Sequence, residues 1–290
     1  MAIVCWSSKF RPLLVMWAHP RMLAWLVVSL ILVVTPRLVF SGADVVPRVI
    51  PYDPGVAFVP LCAIFFGPAG VWGAALASLL GDLLTGTWGA LPVFRAIGWF
   101  LAAWWFSQLG RPLRDTERRS PLKFLQISIL AAITAAAWNA LGTETARLYP
   151  FSYTFMIALL HHLVFLSGFG LALHFLMAGG MSQRVAASWE ELIEFKERVQ
   201  PPFSTMLLIM VAASLGLCVI VWLISTLVYG YHPLHPVPLG GHLGAWMEAL
   251  AIPCMLIQIV AIFWPDIQLP PEEDGQLGDR EYAWRGLIKG

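Results

Sequence analysis

The chain has 290 residues, of which 59% are hydrophobic and 12% charged, with a formal net charge of +1. A soluble domain carries about 25% charged residues, so this composition argues against a water-soluble fold. The near-neutral balance gives no basis for binding nucleic acid, and the 14 tryptophans suit a membrane interface.

In chain order the apolar runs predict an all-α, polytopic transmembrane bundle of about eight spans. They fall near 21–40, 55–67, 69–86, 91–109, 123–142, 152–178, 203–229 and 242–264. Lys9, Arg11 and Arg21 place the N-terminus in the cytoplasm, and no small-residue cleavage site follows Val34. The segment 41–54 then lies outside, and Gly67-Pro68 makes an inner turn between two short spans. The fourth span returns the basic cluster Arg111, Arg114, Arg118, Arg119 and Lys123 to the inside, in agreement with the start. Spans five to eight make two further excursions, through 142–151 and 229–241, and leave both termini cytoplasmic at an inner (cytoplasmic) membrane.

The second span has only about a dozen residues, too few to cross upright at about 1.5 Å per residue. It is expected to be shielded by protein or re-entrant. Between spans six and seven, Ser188 and Glu191 fit a capping box, and Val185, Trp189, Leu192 and Val199 recur at helical spacing. An amphipathic cytoplasmic helix is therefore expected over 179–202. A two-helix membrane extension occupies 203–265, and a polar tail 266–290.

The third span reads GPAGVWGAALASLLGDLLTGTWG. Ala69, Gly73, Ala77 and Gly81 recur every four residues, beside a second row of Gly70, Ala74 and Ser78. Small residues at that spacing let membrane helices approach closely. Asp82 follows at the outer end. Burying an unpaired charge there costs on the order of 2.5–3.5 kcal/mol by insertion scales. Two readings follow: a pair with Arg95 that stitches spans three and four, or a direct contact to a ligand.

The stretch PGVAFVPLCAIFFGPAGVWGAALASLLGDLLTG resembles the S-components, the substrate-binding membrane subunits of energy-coupling-factor transporters. The likeness lies in an external loop, a short second helix, a G-P turn, a small-residue third helix and then G-D. It covers roughly residues 20–178, so residues 1–178 are read as a six-helix unit. The same pattern is similar to the rod-shape-determining membrane protein of bacterial wall synthesis, a scaffold. The S-component resemblance implies a small organic nutrient entering from outside beneath the 41–54 loop. Tyr52, Trp88 and Tyr153 would stack on it, with Tyr149 nearby. Asn139 and Glu144 would hydrogen-bond its edges, and Asp53, Asp82 and Arg95 share that end. The plain alternative is an interfacial belt of Tyr and Trp.

A second function competes: an accessory or scaffold subunit among other membrane proteins. It draws on the extension beyond six helices and on Ala24, which has no alanine four positions away, where S-components present an alanine face. In that reading His161 or His162 could be an axial ligand to a haem or chlorophyll-type macrocycle. His161 and His174 are about 20 Å apart along a helix, so they do not share one metal ion. His232, His235 and His242 form only a weak metal motif, and the four scattered cysteines form no CxxC pair. No GxSxG and no P-loop is present, so no catalysis is expected. The sequence names no cofactor. Its expected partners are membrane lipid, other membrane subunits and a small molecule.

Overall fold

The computed structural model describes residues 12–46, 49–110, 113 and 120–177, isolated positions between 209 and 220, and 252–257 and 259. Of the described residues, 84% are helical. A 3-10 turn, Met16–Ala18, leads into α1, Pro20–Val39. A two-stranded antiparallel hairpin follows, β1 Asp44–Val46 with β2 Ile50–Pro51, pairing Asp44 with Pro51 and Val46 with Ile50. A second 3-10 turn, Pro54–Phe58, runs into the short α2, Val59–Phe66. Then come α3 Pro68–Leu84, α4 Leu91–Leu109, α5 Pro121–Thr145 and α6 Phe151–Leu163. The helix continues through a π-helical segment, Val164–Phe169, into α7, Gly170–Met177.

Proline marks the starts. Pro20, Pro60, Pro68, Pro92 and Pro121 each sit at the first or second helical position. There the missing N–H is not needed by the helix and the fixed φ suits it. Ser120 adds a cap to α5, its hydroxyl accepting from the Lys123 N–H at 3.3 Å. Gly67 between α2 and α3 has φ +56°. That backbone strongly favours glycine, so the G-P turn of the sequence is a structural requirement.

α3 packs against α1, α2 and α4. A Cβ on Gly70 would lie 1.9 Å from the Cys62 carbonyl oxygen of α2. One on Gly73 would lie 2.3 Å from the Ser29 Cβ of α1. The two small-residue rows thus serve two different neighbours. The apolar core beside them is built on Trp104, Trp105 and Phe106 of α4, Phe124 of α5, and Ile64 of α2, all essentially buried.

Three helices are long and apolar enough to cross a membrane: Pro20–Val39, Pro121–Thr145 and Phe151–Leu176. Two more, Pro54–Phe66 and Pro68–Leu84, are apolar but shorter. The expected helices of spans one to six are all present, with ends within a few residues. The hairpin and the π segment depart from the purely α-helical expectation. The hairpin sits in what reads as an irregular external loop. The amphipathic helix at 179–202, most of the extension at 203–265, the tail, and the arginines of the basic cluster lie outside the described residues.

Candidate functional site

The alternating helix directions bring chemistry to one end of the bundle. Arg37 lies in the last turn of α1, Asp82 in the last turn of α3 and Arg95 in the second turn of α4. Asn139 approaches the C-terminal end of α5. The hairpin and Asp53 close over the same end.

Asp82 is fully buried, and one carboxylate oxygen does most of the work. Its Oδ1 accepts from Arg37 Nη2, and from Arg95 Nη1 at 2.5 Å. The same two arginines hold backbone. Arg37 Nη1 donates to the Ser78 carbonyl at 3.3 Å, and Arg95 Nη2 donates to the Val49 carbonyl beside the hairpin. Arg95 Nε donates to Asn139 Oδ1 at 3.2 Å. Arg37 is seated by Gly81, where a Cβ would lie 2.7 Å from the Arg37 Cδ. Arg37, in the last turn of α1, also meets the negative end of that helix favourably.

Asp53 is the second acid. Its Oδ1 accepts from the Gly55 N–H at 3.0 Å, and its Oδ2 lies 3.7 Å from Arg37 Nη1. Its own N–H donates to His161 Nε2 at 3.3 Å, which puts the imidazole proton on Nδ1. Burial pushes the Asp53 carboxyl up to about 6, against the opposing pull of Arg37. Two cations and two acids share the site, so its formal charge sums to zero.

The other candidate residues separate. Tyr52 packs edge-on against Phe40, Phe165 and His161 at the rim of the cluster. Trp88 is 74% exposed on the α3–α4 turn. Tyr153 stacks on Tyr149 at 5.6 Å. Glu144 caps α6, its Oε2 accepting from the Phe151 N–H at 2.5 Å. Asp53, Asp82, Arg95 and Asn139 therefore meet in one network with His161, while Tyr153 and Trp88 do not join it.

His161 and His162 are both buried. His162 packs edge-on against Trp99 at 4.8 Å and hydrogen-bonds the Ala132 backbone. An axial ligand to a macrocycle needs a free ring nitrogen facing an open slot. His161 Nε2 is taken by Asp53, and the Nδ1 of each ring is enclosed by protein. Among the described residues no cluster of three or more His, Cys, Asp or Glu could hold a metal ion.

Sequence reasoning missed Arg37. The available signal was its place: a lone cation in the last turn of an apolar helix, at the same end as Asp82. No family model, no curated protein and no solved structure matches the chain.

Proposed function

We propose that the chain is a non-catalytic integral membrane subunit that binds a small organic solute at the hairpin-covered end of its bundle. The observation that carries this reading is the convergence of the charged Arg37, Asp53, Asp82 and Arg95, with Asn139 and His161, inside a largely apolar bundle. Packing alone does not call for such a cluster, because well-packed apolar residues often replace a buried ion pair at no loss of stability. Its roof is a short hairpin instead of a helix, which gives a solute a way in. The resemblance to S-components points the same way. With both termini cytoplasmic, this end faces outward.

The test is retention of a panel of radiolabelled water-soluble nutrients by vesicles carrying the full chain. Asn139→Ala removes the acceptor that orients Arg95 and is expected to lower retention at least tenfold. Glu144→Ala, at the α6 cap, is expected to leave it unchanged. No retained solute, or equal retention by Asn139→Ala, would overturn the reading.

A second reading, an accessory subunit of a larger membrane assembly, rests on residues 179–265, which exceed the six-helix unit. Stoichiometric copurification of other membrane proteins in mild detergent, with no solute retained, would favour it.

A further inference from the structure

Residues 49–53 run across the charged end of the bundle and are pinned to it at three points. Arg95 of α4 holds the Val49 carbonyl, His161 of α6 accepts from the Asp53 N–H, and Arg37 of α1 faces the Asp53 carboxylate. The third point is unlike the others. Arg37 is already bonded to Asp82 and to the Ser78 carbonyl, and it reaches Asp53 only at 3.7 Å. Asp82 meanwhile accepts from both arginines. The cluster's positive charge is spent mainly on Asp82, and Asp53 is buried with a loosely placed counter-charge.

We propose that Asp53 is a proton-binding site and that its ionisation releases residues 49–53 from the end of the bundle, whereas its protonation locks them down. This rests on the solute-binding reading for its purpose: the segment is the door to the site proposed above. The ionisable groups facing Asp53 are Arg37 of α1, Asp82 of α3, Arg95 of α4, and His161 and His162 of α6. α2 brings only Cys62, α5 brings the uncharged amide of Asn139, and the described residues of the hairpin bring Asp44; Arg48 lies outside the described residues. Among the described residues, Arg37 is the cation that makes an ion pair with Asp53.

The direction follows from linkage. A buried carboxyl held at about 6 against an ordinary 3.8 binds its proton more tightly closed than open. Acid therefore favours the closed segment, and opening becomes easier as pH rises through 6. The largest shift of the open–closed balance that this difference allows is about a hundredfold.

Amide hydrogen exchange of the full chain in lipid nanodiscs, without solute, tests this. Exchange is compared at pH 5 and pH 7.5, with labelling times scaled to the intrinsic rates. Wild-type amides 49–55 should be better protected at pH 5, by up to about tenfold of that hundredfold range. Asp53→Asn, neutral at all pH and still able to accept from Gly55, should stay protected at both. Asp44→Asn should keep the wild-type dependence. Equal wild-type protection at both pH values, stronger protection at pH 7.5, or a pH response surviving in Asp53→Asn would overturn the proposal. Because no solute is present, this outcome is independent of the nutrient-retention result.

Discussion

Arg37 and Asp82 stand 45 residues apart in sequence and share a buried hydrogen-bonded ion pair that ties the end of α1 to the end of α3. Through Asp82 the tie extends to Arg95 and α4, and through Arg95 to α5 and the hairpin. One carboxylate thus fixes how three helices end. The small residues of α3 set how close those helices come, and the charges set their alignment at this end.

The glycines of α3 should not be equivalent. Gly70→Ala places a methyl against the Cys62 backbone of α2, which has no rotamer to yield. Gly81→Ala presses on the Arg37 side chain, which can shift. Overpacking typically costs 1–3 kcal/mol. Gly70→Ala should therefore fall at or above about 3 kcal/mol, and Gly81→Ala nearer about 1. Gly42→Ala, with open space around the added methyl, should change nothing. Thermal unfolding in detergent ranks the three.

Stability should depend on pH through Asp53. Its folded carboxyl titrates near 6 and its ordinary value is 3.8. Between those values the folded state binds more protons than the unfolded one. The stabilising contribution is therefore full below 3.8 and is lost as pH rises through about 6. The gap corresponds to about 3 kcal/mol at most. Asp53→Asn should flatten this part of the stability–pH curve. A wild-type curve that rises from pH 4.5 to 6.5, and does so because of Asp53, contradicts the assignment.

Glu144→Gln should loosen the start of α6 without disturbing the charged end. Losing a charged cap typically costs about 1 kcal/mol. The loss should appear as faster hydrogen exchange at Phe151 and in the following turn, with exchange at residues 49–53 unchanged. A uniform increase across both regions would mean that the cap and the cluster form one cooperative unit.

Much of the helical frame is readable from residues alone, for a physical reason. Apolar runs, proline at helix starts and the Gly67-Pro68 turn are local signals, and each maps onto an observed boundary. Asp82 stood out because a lone acid in an apolar, small-residue helix needs compensation, and Arg95 was the nearest cation in sequence. Arg37 was not legible, since a cation at a helix end reads equally well as a side chain reaching for the interface. Choosing between those roles depends on how α1 crosses α3, which no local pattern states. The same holds for His161, whose role depends on an N–H contributed 108 residues earlier. The hairpin strands are too short to show alternation. The π segment VFLSGF is as apolar as the helix around it. Glu144 has the polarity expected of a ligand contact, but its carboxylate serves the α6 N-terminus.

The account depends most on Asp82 being neutralised from two sides, and a double-mutant cycle reads that directly. Asp82→Asn, Arg37→Gln and the double variant are compared with wild type by thermal unfolding of the full chain in one detergent. Removing one partner of a buried pair strands the other charge, at about 3–5 kcal/mol, whereas removing both strands less. The predicted result is a double variant more stable than the sum of the single losses implies, with a coupling of at least about 2 kcal/mol. Additive losses, with coupling below about 0.5 kcal/mol, would contradict the central claim.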